Sequence, residues 1–179
     1  ALAITFRLAS AYYTSKIFNP YFRVNKQSYF SFFSFLKRYD NYGKFSVFLA
    51  FFFFAMMLSA PFFAVRMLDD LNFSYIIYTI VSLSSTVFYL LFASITGKFS
   101  DRYGNLKLIY IGSFLFPIIP LLWVVLDSPV LLILIPGLVS GLANAAFVIG
   151  TTNFSYNSTS PQKRGFCFAY TALLVGIGI

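Results

Sequence analysis

Gly97-Lys98-Phe99-Ser100-Asp101-Arg102-Tyr103-Gly104-Asn105-Leu106-Lys107 separates two apolar runs, residues 73–96 and 106–126. Each run is long enough to cross a bilayer. A turn between two spans needs little chemistry, yet this one carries two glycines, an Asp-Arg pair and flanking lysines. Gly97 is expected to let a helix end approach its neighbour, and Gly104 to supply the permissive backbone of the turn. Asp101 suits a helix N-terminus, its own or a neighbour's, where negative charge is favoured. Arg102 and Lys107 hold the stretch on the cytoplasmic side. The plainer reading is a charged reverse turn.

Composition sets the class. Hydrophobic residues make up 59% of the chain, aromatics 22% and charged residues only 10%, too few to cover a water-facing surface. The fold expected is all-α, a polytopic helical membrane protein. The formal charge of +8 does not signal nucleic acid, because the basic residues are dispersed among loops. Histidine and glutamate are absent and cysteine occurs once, at Cys167. No metal site, cofactor or internal disulfide is therefore expected, and no enzymatic nucleophile–base pair is visible.

Working outward, four complete spans are expected at about 45–66, 73–96, 106–126 and 130–152, with a further helix begun at 165–179. Pro61 should kink the first span or loosen its last turns, and Arg66, Asp69 and Asp70 form the turn after it. At 3.6 residues per turn, Tyr75, Tyr78, Ser82, Ser85, Thr86, Tyr89 and Thr96 share one face of the second span. Such a stripe either lines water or packs on a partner helix through hydroxyls. The third span is apolar, bent at Pro117 and Pro120, with Trp123 suited to the interfacial belt. In the fourth, Gly137, Gly141, Asn144, Ala145, Val148 and Thr152 share a face, and the glycine spacing predicts close helix contact. Asn144 is the only amide deep in a span, open to two readings: substrate contact or helix–helix glue. Tyr78, Ser82, Ser85, Tyr89 and Asn144 are the cavity candidates.

The ends are less regular. Residues 1–18 read as the end of a preceding helix, broken at Asn19-Pro20, and 19–43 as a cytoplasmic connector ahead of a bundle over 44–179. Within it Tyr29, Phe32, Phe33 and Leu36 fall at helical spacing, as in a helix on the membrane surface, or else the stretch is a linker. The run cut at Ile179 suggests a fragment of a longer protein. Ser160-Pro161 is the expected start of the last helix.

Charge orients the chain. Alternating the loops places Arg7, Lys16, Arg23, Lys26, Lys37, Arg38, Lys44, Lys98, Arg102, Lys107, Lys163 and Arg164 on one side, against Arg66 alone on the other. The positive-inside rule puts that basic side in the cytoplasm.

Gly97, Asp101, Arg102 and Gly104 carry a G-x-x-x-D-R-x-G pattern. It resembles the signature loop between the second and third helices of major facilitator superfamily transporters, which recurs more weakly between the eighth and ninth. Asn105 and Leu106 depart where the family prefers basic residues, leaving Lys107 alone. Pro161, Arg164 and Gly165 are similar to the family's turn before its fifth or eleventh helix. The resemblance implies a partial bundle, read as the C-terminal half, with an N-terminal half the alternative. It further implies transport of a small-molecule solute by alternating access, in the cell membrane, with the lipid bilayer as solvent. Any carboxylate for a coupling ion would lie in the other half, or transport is uncoupled, since no ionisable residue lies deep in a span. The signature residues would then gate as a cytoplasmic latch. The competing class is a non-transporting polytopic protein, a receptor or scaffold.

Overall fold

The computed structural model describes residues 2–16, 30–37 and 40–178. The break expected at Asn19-Pro20, with Arg23, Lys26, Tyr29 and Arg38, lies outside them. Every element among the described residues is helical. In order these are α1 (Leu2–Ser15), α2 (Phe32–Leu36), α3 (Asn41–Val65), α4 (Tyr75–Tyr103), α5 (Asn105–Leu115), α6 (Ile118–Val125), α7 (Pro129–Asn157) and α8 (Arg164–Gly178). A π-helical turn, Arg66–Asp70, prolongs α3. Among the described residues four stretches are long and apolar enough to cross a membrane: Asn41–Asp70, Tyr75–Tyr103, Asn105–Val125 and Pro129–Asn157. The shortest, of 21 residues, is about 31 Å long at 1.5 Å per residue, the thickness of a hydrocarbon core.

The helices outrun the apolar runs that announced them, because caps and dipoles extend them into polar sequence. Asp40 starts α3 by accepting a hydrogen bond from Gly43 N at 2.9 Å. Ser74 does the same for α4. The helix α4 passes through Gly97 and ends only at Gly104. One glycine costs a helix about 1 kcal/mol relative to alanine, too little to stop so long an element. Lys98 and Arg102 meanwhile complement the helix C-terminus. The expected loop is thus a single-residue hinge between α4 and α5, and most of the signature is helical. At Phe116-Pro117 the third span breaks into α5 and α6, since Pro117 offers no N–H to the turn before it. By contrast α3 runs through Pro61.

The spine of the bundle is α7. Leu132, Ala143, Ala145 and Ala146 on it are fully buried, and it packs along both α4 and α5. Small residues make both seams. A Cβ added at Gly137 would lie 2.5 Å from Ser84 Oγ, and one at Gly141 would lie 2.8 Å from Tyr89 N. On the other side a Cβ at Gly112 of α5 would sit 2.9 Å from Phe147 N, and one at Gly150 would sit 3.1 Å from Ile109 N. Backbones approach closely where nothing stands between them. Phe147 carries the aromatic core, stacked on Phe52 at 4.2 Å and edge-on to Phe116 at 5.6 Å.

The helix α8 packs on α3. Thr171 Oγ1 is 2.8 Å from Ser46 Oγ and 3.1 Å from Tyr42 Oη. The aromatic end of the connector joins this group instead of lying on the membrane surface. Phe35 is 2% exposed, its ring 5.5 Å from Tyr170 and 6.2 Å from Tyr42. Tyr170 Oη donates to the Phe30 carbonyl at 2.8 Å. Of the positions expected to form a surface face, Phe32 is half-buried beside Tyr170 and Phe33 is exposed.

Candidate solute cavity and signature stretch

A cavity of about 250 Å³ opens among α3, α4, the α5–α6 span and α7, towards the end of the bundle remote from the basic residues. It is walled by Met56, Phe63 and Met67 of α3 and its π turn, by Phe116, Ile119 and Trp123, and by Leu132 of α7. Its polar groups are Ser59, Ser82, Ser85, Ser140 and Asn144, and none of its lining residues is charged.

The hydroxyls are mostly committed as donors to their own helices. Ser59 Oγ donates to Met56 O at 2.9 Å, Ser85 Oγ to Ser82 O at 3.2 Å and Ser140 Oγ to Gly137 O at 3.1 Å. Asn144 Nδ2 donates to Ser140 O at 2.8 Å, within α7, so the amide is not bonding two helices together. Serine oxygens keep lone pairs after donating, and Asn144 Oδ1 is an acceptor. The cavity therefore presents acceptors on an apolar, thioether and aromatic wall.

Of the five cavity candidates, the structure brings together Ser82, Ser85 and Asn144. Tyr78 packs instead beside Met67, Val81 and Leu132. Tyr89 lies in the α4–α7 seam, opposite Gly141. The polar stripe of α4 runs along the flank of its contact face. Tyr75, Ser82 and Thr86 are exposed, Ser85 half-buried, and Thr96 buried with its hydroxyl on the Phe92 carbonyl. Ser84, outside the stripe, is the buried serine at the seam. Helix phase alone did not reveal Ser59 or Ser140. Ser140 sits one turn before Asn144, and Ser59 beside Pro61. Trp123, read as an interfacial anchor, lines the cavity and packs on Phe63 at 5.2 Å.

Above the cavity, Arg66 joins the π turn to the end of α6. Its Nε donates to Trp123 O at 2.6 Å, and one terminal nitrogen donates to Val124 O at 3.1 Å and Asp127 Oδ1 at 2.8 Å. The guanidinium thus caps the orphan carbonyls of a helix C-terminus.

The signature residues gather at the opposite, basic end. Gly104 adopts φ +91°, a conformation glycine alone takes readily. Arg102 and Lys107 lie over the Tyr103 ring at 5.3 and 5.6 Å. Asp101 is exposed in the last turn of α4, with no ion pair or hydrogen bond to any described residue. It caps neither its own helix nor α5, whose N-cap is Gly104. Gly97 faces open space, since a Cβ there would meet nothing within 4 Å, so the close approach expected of it is not made to any described residue. Asn105, the departure from the family pattern, accepts from Ser100 Oγ, and Asn153 Nδ2 of α7 reaches the same Ser100 oxygen at 3.4 Å. Further along, Arg164 donates to Tyr156 O at 3.1 Å and Thr159 O at 3.4 Å, closing the end of α7.

No curated protein and no solved structure matches the chain. The sequence profile of the Major Facilitator Superfamily matches residues 45–179, which include three of the four bilayer-length helices whole, the first from residue 45 on, the cavity and the signature stretch. The chain therefore belongs to the Major Facilitator Superfamily, a family of membrane transporters, and is an integral, multi-pass membrane protein.

Proposed function

We propose that this chain forms part of a carrier for a small, uncharged solute, moved by alternating access across the cell membrane. The observation that carries the reading is the cavity's uncharged wall, with oxygen acceptors from Ser59, Ser85, Ser140 and Asn144 set into an apolar surface. A buried charged ligand without a partner charge would be expensive there. A neutral molecule with hydrogen-bond donors on one edge and an apolar face on the other suits it. The cavity lies below the usual range for drug-sized ligands. On the charge bias, the basic end faces the cytoplasm. The spans fit helices seven to ten of a C-terminal half, and no carboxylate lines the cavity to couple a proton.

Gating falls to the signature end. Asp101 is exposed and unpaired within the described chain, which suits a latch onto an opposite bundle. A charge–dipole contact of about 0.3–1 kcal/mol would shift the balance of states roughly two- to fivefold. The test is uptake by full-length protein in vesicles, across uncharged and anionic solutes. Uncharged solutes should be accepted, and a transported solute should protect cysteines at Ser82, Ser85 and Asn144 from a thiol reagent. Cysteines at Leu83 and Leu90, exposed on the other face, should show no protection. Asp101→Asn should insert normally and transport more slowly. Selective transport of anions, or equal protection on both faces of α4, overturns the reading.

A further inference from the structure

At the basic end a second opening, of about 400 Å³, runs between α3 and α5 over a floor that includes Phe154 of α7. Its walls are apolar, with Phe45, Phe48, Ile109 and Tyr110 among them. The Phe45 ring rests 4.6 Å from Phe154, so the floor is closed towards α7. The groove reaches along α5 from Leu106 to Ser113, about 10 Å at 1.5 Å per residue.

Two features distinguish it from an ordinary crevice between lipid-facing helices. At its mouth stands Lys44, exposed and in no ion pair with a described residue. The first turn of α5 at the same end has no side-chain cap and no acidic residue, and it carries Lys107. Two carboxylates stand at this end, Asp40, which accepts from Gly43 N in capping α3, and Asp101, exposed in the last turn of α4, against Lys44, Lys98, Arg102 and Lys107. The mouth is therefore electropositive, from the lysines and the exposed N–H groups of a helix start. At the inner end, Ser113 Oγ is buried with no hydrogen-bond partner. Pro117, four residues on, has no N–H to offer the Ser113 carbonyl. Other span hydroxyls, those of Ser46, Ser59, Ser84, Thr96 and Thr151, donate to their own helix.

We propose that this groove binds one anionic phospholipid. Its phosphate sits at Lys44 and the start of α5, and one acyl chain runs inward along Phe48, Ile109 and Tyr110 as far as Ser113. Basic openings between transmembrane helices on the cytoplasmic side are the physical setting for such lipids. The site is separate from the solute cavity and does not depend on what the protein transports.

The experiment is native mass spectrometry of delipidated full-length protein given phosphatidylglycerol or phosphatidylcholine with matched chains, alongside thermal unfolding. The parent should retain one phosphatidylglycerol at least fivefold better than phosphatidylcholine. Lys44→Gln should remove that preference, and Leu106→Trp should lower retention of both lipids. Lys44→Gln should not lower the unfolding temperature of the lipid-free protein, which separates lost binding from lost folding. Lys163→Gln, away from the groove, should behave like the parent. Equal retention of the two lipids by the parent overturns the site. So does a loss in Lys163→Gln as large as in Lys44→Gln, which would mark diffuse charge attraction.

Discussion

Gly97 and Gly104 belong to one motif, yet the backbone asks different things of them. Gly104 holds φ at +91° with ψ at 153°, a region that costs an L-residue about 1–3 kcal/mol. Gly97 lies within α4, and a Cβ there meets open space. Gly104→Ala should therefore destabilise the purified protein by about 1–3 kcal/mol. Gly97→Ala should be neutral or stabilise by up to about 1 kcal/mol, through helix propensity. Thermal unfolding in detergent checks both. A loss in Gly97→Ala matching that in Gly104→Ala would mean that Gly97 packs against something outside the described residues. Asn105 adds a related lesson, since the departure from the family's basic pattern is the residue that engages Ser100. That bond holds the start of α5 against the end of α4, while Asn153 links the pair to α7.

At the scale of elements, α7 organises the bundle because its small residues occur on two faces. The Gly137/Gly141 spacing announced one seam. The other, through Gly150 to α5, was not legible, because its partner glycine, Gly112, lies in a different helix. Gly141→Val should cost at least about 1–3 kcal/mol, by overpacking against a backbone that cannot yield as a side chain can. Gly176→Val, where a Cβ meets nothing within 4 Å, should be tolerated. Unfolding curves for the two variants test this, and equal tolerance would disprove a tight α4–α7 seam. The existence of four spans was readable because hydropathy over twenty residues is a strong signal. Their ends were not, because Asp40 and Ser74 caps and the Gly104 hinge set them, beyond the apolar runs. Two of the cavity's five polar groups, Ser59 and Ser140, were hidden for a related reason. The period of α4 gives relative phase, but the rotation of the stripe about the α4 axis is set by where Gly137 and Gly141 admit Ser84 and Phe88. Ser82 and Ser85 came to the cavity rim on that geometry, whereas Tyr78 and Tyr89 went to packing. Phe35 was missed because a run of aromatics near basic residues looks alike whether it lies on a membrane or buries against Tyr170.

Over the whole molecule the two ends differ in construction, and the difference bears on how the cavity opens. At the basic end α4 and α5 meet through one glycine, with charged groups left exposed. At the other end Arg66 ties the π turn of α3 to the end of α6, immediately above the cavity wall formed by Phe63, Met67 and Trp123. Which of its bonds matters follows from exposure. Asp127 is 71% exposed against 26% for the Arg66 side chain, so their ion pair is worth about 1 kcal/mol or less. The bonds to Trp123 O and Val124 O are charge-assisted, about 1.5–3 kcal/mol each, and the former is partly buried. Arg66→Gln should therefore loosen this end far more than Asp127→Asn. Arg66→Lys should not restore it, since a single ammonium lacks the planar fork that reaches several acceptors. The readout is a cysteine at Ser85, facing the cavity beneath the clasp. Its reaction with a membrane-impermeant thiol reagent added on that side should quicken in Arg66→Gln and Arg66→Lys, and stay near the parent rate in Asp127→Asn. Equal rates in Arg66→Gln and Asp127→Asn would show that the ion pair, and not the carbonyl bonds, holds this end together.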